Sequence, residues 1–292
     1  MTHNAHLVDR GSSVAGPRVS EYTISSVCLR GYDFAQALEV AKRLGFDSLD
    51  LVGLRGLCEH VPVNGSTADL RAAAEVFRRS GLRGASVNAD PGSFDGFDDA
   101  EDVRRRIDGL LGFLGEAELP LLVLPCGEKT AAPPADPQIS RMADALNGVA
   151  ASARAAGVRL AVEAPYFGRP IHSLERAEQL LAALDPAIEL AYDVSHVEAA
   201  DESVVAGWDR FADRIGIVHL RDAASGDVRR VIGAGRVDFA AFLHQVRASD
   251  FSGDVVLELE TQNSPYASKE DEVMAAALYL GAIEQKEREI VR

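Results

Sequence analysis

Two kinds of hydrophobic pattern alternate along the chain. The first is a short, nearly unbroken apolar run: FDSLDLVG, LRGASVN, LPLLVLP, VRLAVE, IELAYD, RIGIVHL and GDVVLELE, preceded by one around Val19–Val27. Runs of this length, apolar on both faces, predict strands of a parallel sheet covered on both sides. The second pattern repeats every three or four residues and predicts helices. These start at Asp33, at Ser66 or Thr67, near Asp98, near Pro137, behind Ser173, near Glu202, at Asp238 and near Lys269. Ser, Thr and Asp at those starts are N-cap residues, and Gly45, Gly81 and Gly157 are stop signals. Eight strand–helix pairs in roughly 270 residues predict one closed (β/α)₈ TIM barrel. An open doubly wound sheet is the alternative, but no G-x-G-x-x-G turn follows the first strand. The GAG of IGAGR comes late, lacks the remaining glycine and reads as a tight turn.

Composition narrows the function classes. Hydrophobic residues make up 47% and charged residues 26% of the 292, which excludes general disorder. Thirty Lys and Arg stand against 45 Asp and Glu, a net charge of −15, so a nucleic-acid-binding face is not expected. A local basic pocket for one phosphate or carboxylate remains compatible with that balance. Cys28, Cys58 and Cys126 are odd in number, lack CxxC spacing and fit reduced core thiols of a cytoplasmic protein. Residues 1–18 carry no apolar stretch of signal-peptide length and are expected to form a flexible tail, with His3 and His6 solvated and the catalytic domain spanning 19–292. No apolar run reaches about 18 residues, so no membrane span is expected.

The chemistry sits at strand exits. RLAVE ends on Glu163, IELAYD on Asp193, GIVH on His219 and VVLELE on Glu258, four successive strand ends each about one unit apart. A barrel gathers its strand ends on one rim, where active sites are built. Each position alone reads equally well as a solvated strand exit or a satisfied core histidine; four in succession point to convergence. Three carboxylates and one imidazole favour one Mn²⁺ or Mg²⁺ ion, with Co²⁺ or Zn²⁺ compatible. His196 reads as a further ligand or, preferably, as a hydrogen-bond donor to substrate. Glu260 shares the face of Glu258 but sits further into the loop. His60, Asn88, Arg169, His172 and Arg221 are polar candidates on the rim. Arg221 fits either a substrate phosphate, carboxylate or hydroxyl, or a salt bridge to a neighbouring acid.

The segments VRLAVEAPYF, LAYDVSH, IVHLRD, IGAGRVDF and FSGDVVLELE resemble the sugar phosphate isomerase/epimerase family of xylose isomerase-like TIM barrels. AQALEVAKRLGFDSLDLVG is similar to the family's first unit, with Asp50 where Glu is commoner. The resemblance runs from Val19 to the C-terminus. It implies Glu163, Asp193, His219 and Glu258 as metal ligands, with Glu163 and Glu258 doubling as acid/base catalysts through a metal-bound enediolate. The activity it implies is isomerisation or epimerisation of a ketose or keto-sugar, phosphorylated or not, by an enzyme that is monomeric or a homo-oligomer. A lyase is the neighbouring reading, such as a keto-inositol dehydratase or a 3-keto-glycoside eliminase. An abasic-site endonuclease shares the barrel, but its His-rich multi-zinc cluster and basic face are not matched here. A non-catalytic barrel is disfavoured because no ligand is lost.

Overall fold

A computed structural model describes residues 21–96, 98–128, 136–260 and 264–290. Eight parallel strands close into a barrel: β1 Thr23–Ser25, β2 Ser48–Leu54, β3 Arg83–Ala89, β4 Leu121–Pro125, β5 Arg159–Glu163, β6 Glu189–Asp193, β7 Ile215–Leu220 and β8 Asp254–Leu257. Each pairs with its neighbours in chain order, and β1 pairs with both β2 and β8, which closes the ring. The helices lie outside: α1 Phe34–Arg43, α2 Thr67–Ser80, α3 Ala100–Ala117, α4 Asp136–Ala155, α5 Leu174–Ala183, α6 Val204–Phe211, α7 Phe239–Ala248 and α8 Lys269–Ile290. The expected tail and the Pro-rich loop after β4 fall largely outside the described residues.

The caps that the sequence predicts are formed. Asp33 and Gln36 make a reciprocal capping box on α1, and Ser66 with Asp69 makes another on α2. Each satisfies backbone N–H groups that a helix start would otherwise leave unpaired. Asp238 and Ser173 cap α7 and α5 as expected.

Burial divides into two shells. One large apolar cluster fills the space between strands and helices, and a smaller one inside the barrel consists of Leu121, Val123, Ala161, Ala191, Ile217 and Val256. At the lower mouth, Thr23 donates to Ser48 and Asp254, Arg83 pairs with Asp254, and Arg159 lies 2.8 Å from Glu189. The barrel is therefore plugged below and in its middle, leaving the upper rim for chemistry.

Four features differ from the expectation. The first strand is only Thr23–Ser25, because the chain turns into a 3₁₀ segment at Ser26–Leu29, where the Ser26 hydroxyl accepts the Val52 N–H. The helical region after β6 is split. A short helix, Val194–Ala199, starts directly on Asp193, and α6 begins only at Val204 behind its own cap, Ser203. β8 ends at Leu257, although the Glu258 N–H still reaches the Leu220 carbonyl at 3.1 Å.

The fourth difference concerns the loop after β7. Asp222–Ala224 and Asp227–Arg230 form a two-stranded ribbon, and the GAG segment folds back over Asp222. The Asp222 carboxylate accepts N–H groups from Gly233 (2.8 Å), Gly235 (2.9 Å), Val237 (3.2 Å) and Ala223 (2.8 Å). The expected tight turn is formed, the Ala234 N–H donating to the Val231 carbonyl at 2.9 Å, and a Cβ on Gly235 would lie 2.1 Å from Asp222 Oδ1, so close approach dictates that glycine.

Asp222→Asn removes one of the two acceptor oxygens and orphans buried donors. It should destabilise the protein by about 2–4 kcal/mol, at one to three per unpaired group. Denaturant unfolding checks this, and a change below about 0.5 kcal/mol, ordinary for surface sites, would contradict it. The three cysteines are free and buried, as expected, and burial pushes the thiols up, Cys28 to about 12 and Cys58 to about 11. An aromatic disulfide reagent at pH 8 should therefore find no fast thiol in the native protein and three after unfolding. One rapidly titrating native thiol would be inconsistent with this packing.

Candidate metal centre

Alternation along each strand sends Glu163, Asp193 and His219 into the barrel at its upper end. β5, β6 and β7 are in register so that Glu163 pairs with Ala191 and Asp193 with His219. Tyr192, between them on the outer face, anchors β6 through a 2.7 Å bond from its hydroxyl to the Val204 carbonyl. That bond fixes the facing of Asp193 next to it. One ligand atom from each of Glu163, Asp193, His219 and Glu258 lies within 4.8 Å of the others, and all four side chains are buried.

Such a set is electrostatically costly without a cation. Burial pushes the Glu163 carboxyl up to about 7, whereas burial is overcome at Asp193, which Arg221 and the two imidazoles pull down to about 2. At Glu258 burial is likewise outweighed, by His219 and Arg221, and the carboxyl is held below its ordinary range. His219 Nδ1 faces Glu163 Oε1 at 3.6 Å and Glu258 Oε2 at 3.4 Å, distances of ionic attraction and not of directed hydrogen bonds. Burial opposes charge on this ring, but the two glutamates raise its pKa well above the ordinary value. Both of its nitrogens lack a hydrogen-bond partner among the described residues. Buried, unpartnered nitrogen flanked by carboxylates is the donor chemistry of a hard divalent-ion site, and the residues fit such an ion.

Arg221 is the hub beside this cluster. Its Nη2 is 2.5 Å from Asp193 Oδ2, its Nε donates to the Ser195 hydroxyl at 2.9 Å, and its Nη1 lies 3.1 Å from Glu260 Oε1. Of the two readings of Arg221, the salt bridge to neighbouring acids is formed. Glu260 is placed behind Arg221 and not on the ligand cluster. Asn88 Nδ2 donates to Glu258 Oε1 at 3.1 Å and so orients that carboxylate.

His196 lies on the first helical turn after Asp193, a position created by Asp193 Oδ1 capping the Ser195 N–H at 2.7 Å. The Phe167 N–H donates to its Nδ1 at 3.1 Å. Burial pushes its pKa down to about 3, so the ring is neutral, and the hydrogen bond accepted at Nδ1 assigns its proton to Nε2. Nε2 is 3.0 Å from Arg221 Nη2, a donor, and 3.6 Å from Asp193 Oδ2 and 3.9 Å from Glu163 Oε1. The Nε2–H thus faces the carboxylate cluster with no acceptor at full bonding distance.

The loop after β5 closes the site from the side. The Tyr166 ring lies 3.8 Å from the His196 ring, and the Arg169 guanidinium sits 4.6 Å over the Tyr166 ring. Arg169 reaches the Gly127 carbonyl and lies 3.4 Å from Asp90, tying together the loops after β3, β4 and β5. His172 bonds the Arg169 carbonyl at 3.2 Å. Both rim candidates therefore build the loop. His60 is placed elsewhere: its ring nitrogens meet Cys58 Sγ at 3.4 Å and the Tyr32 carbonyl at 3.1 Å, and it stacks on Phe34. No contact between His60 and the four-residue cluster occurs among the described residues. Sequence reasoning missed Tyr166 and Ser195; the only signal was their adjacency to Glu163 and His196 in VEAPY and DVSH.

Among solved structures, the chain is similar to the IolI protein with a bound zinc atom (TM-score 0.74, 18% identity, 91% of this chain and 98% of that one). It is equally similar to L-ribulose 3-epimerase (TM-score 0.74, 18% identity, 92% and 96%). By sequence it is 24% identical over 150 residues to inosose dehydratase of Salmonella typhimurium, covering 45% of this chain and 50% of that protein. The chain thus spans about half the length of that curated relative. The family model of the xylose isomerase-like TIM barrel matches residues 38–281, and with the closed barrel above this makes the chain a member of that family.

Proposed function

We propose that the protein is a divalent-metal-dependent isomerase or epimerase of a ketose or keto-sugar. The observation that carries this reading is the convergence of Glu163, Asp193, His219 and Glu258 within 4.8 Å at the closed rim of the barrel. These four residues would hold the ion, and their oxygen-rich character favours Mn²⁺ or Mg²⁺. When bound, such an ion polarises a substrate carbonyl and acidifies the neighbouring C–H.

The residues supply the rest. Glu163 and Glu258 both approach His219 Nδ1, at 3.6 and 3.4 Å, so a substrate carbon held beside this cluster would have two carboxylates within reach. One glutamate takes the proton from the carbon next to the carbonyl, and the C–H electron pair moves into the new C=C bond. The carbonyl oxygen gains negative charge, and the neutral His196 Nε2–H is placed to stabilise it. The other glutamate returns a proton: to the same carbon for epimerisation, or to the former carbonyl carbon for isomerisation, in which the neighbouring hydroxyl also passes its proton to the former carbonyl oxygen and becomes the new carbonyl. Arg221, with Glu260 and Ser195 behind it, holds Asp193 and offers its edge to substrate hydroxyls. The Tyr166–Arg169 wall keeps water from His196. A small carbohydrate, not nucleic acid, is the partner of such a site, and the buried thiols suit the cytoplasm.

A second reading has its own support. The chain is 24% identical over 150 residues to a relative named inosose dehydratase, and if a hydroxyl lies β to the carbonyl, the same proton removal expels it as water. Incubation of the metal-loaded enzyme with a keto-sugar and keto-inositol panel in D₂O separates the two by NMR. Solvent deuterium at the α-carbon of an intact sugar supports the first, and an unsaturated ketone supports the second.

Glu163→Gln and Glu258→Gln keep size and one oxygen donor but lose the basic oxygen. Each should lower turnover at saturating Mn²⁺ by at least about 10²-fold, the smaller effect of a positioned acid or base. One of the two variants should still exchange the substrate α-proton without forming product. Asp193→Asn should act through metal affinity and recover partly with added Mn²⁺. Wild-type turnover in both metal-replete glutamine variants would remove the mechanism.

A further inference from the structure

Beneath the four-residue cluster lies a carboxylate that the mechanism does not use. Asp50, on β2, is fully buried, and its side chain accepts from the Ser86 hydroxyl at 2.7 Å on one oxygen and the Ser25 hydroxyl at 2.8 Å on the other. Those serines belong to β3 and β1, in register on either side, and both are fully buried, so the carboxylate points into the barrel. Eight tilted strands close with a stagger of about eight residues. With that stagger, the registers put Asp50 in one layer with Val123, Ala191 and Val256, three side chains that pack together in the barrel's interior. His219 pairs directly with Val256 and belongs to the adjoining layer toward the rim. A carboxylate standing alone in an apolar layer is expensive to bury, at several kcal/mol before compensation. Two hydroxyls offset that in part, and each oxygen retains a second lone pair.

His219 presents the complementary need. Its Nδ1 faces Glu163 and Glu258, the direction of the ion site, so Nε2 points away from it. Nε2 is buried without a partner among the described residues. A metal-bound histidine nearly always donates its outer N–H to a carboxylate, carbonyl or water, which fixes tautomer and ring angle. His219 is also the charged group that most strongly favours ionised Asp50 against burial. We propose that Asp50 is the positioning residue of the metal centre: its carboxylate, braced by Ser25 and Ser86, accepts the Nε2–H of His219, directly or across one water, and so turns Nδ1 toward the ion.

The inference rests on the metal site proposed above, and the test separates the two. Mn²⁺ binding to full-length wild type and Asp50→Asn is measured by calorimetry, with thermal unfolding recorded with and without Mn²⁺. Asp50→Asn should weaken Mn²⁺ binding about 10- to 100-fold, the range for losing such an outer partner. The rise in unfolding temperature on adding Mn²⁺ should be smaller in the variant than in wild type, a comparison independent of their metal-free stabilities. Histidine ¹⁵N spectra of Zn²⁺-loaded protein should show the Nε2–H form of His219 in wild type and a loss of that single form in the variant. If Asp50→Asn fails to fold, Ser86→Ala loosens the same carboxylate and should weaken Mn²⁺ binding in the same direction. Mn²⁺ affinity within twofold of wild type in whichever of these variants folds overturns the proposal while leaving the metal site standing. A wild type that binds no Mn²⁺ overturns both.

Discussion

Three carboxylates and an imidazole share a buried volume whose ligand atoms lie within 4.8 Å of one another, and much of the rim exists to make that crowding tolerable. At such separations two like charges repel by about 3–4 kcal/mol at an effective dielectric near 20. Arg221 offsets part of this at Asp193, Glu258 and Glu260, and a charged His219 offsets part at the two glutamates. A divalent ion supplies more positive charge than the imidazolium does, in the place toward which all four donors turn. Its binding would convert mutual repulsion into coordination and let His219 release its proton.

The surrounding structure keeps these groups from relaxing apart. Tyr192 pins the outer face of β6, Asn88 orients Glu258, and Ser195 with Glu260 steers Arg221. Asp222, next in the chain after Arg221, gathers four backbone N–H groups of the ribbon and GAG segments, so the loop after β7 cannot drift from the site. Tyr166, in contact with both His196 and Arg169, does the same for the loop after β5. Each of these contacts acts through position; in the proposed mechanism the reacting groups are the two glutamates and His196.

The barrel was legible in the sequence because its strands are buried on both faces and read as continuous apolar runs, with helix caps between them. The four-residue cluster was legible because a strand's last inward residue has to be polar if it is to serve a rim site. What escaped the pattern depends on side chains that replace backbone interactions. Ser26 turns the first strand into a 3₁₀ segment, and Asp193 both ends a strand and starts a helix, which divides what periodicity showed as one helical region. The GAG turn was legible, but its partner, Asp222, was not, because it lies a ribbon away in sequence. His60 was an attractive rim candidate by type alone; Cys58 and the Tyr32 carbonyl account for both of its nitrogens.

Anomalous diffraction from crystals soaked in Mn²⁺ tests the central claim most directly. A single strong peak is predicted at the upper barrel rim, with one donor each from Glu163, Asp193, His219 Nδ1 and Glu258 at about 2.0–2.6 Å, bracketing the nitrogen and oxygen distances of such ions. A peak coordinated by other residues, or no peak at these four when Mn²⁺ saturates the crystal, would contradict it.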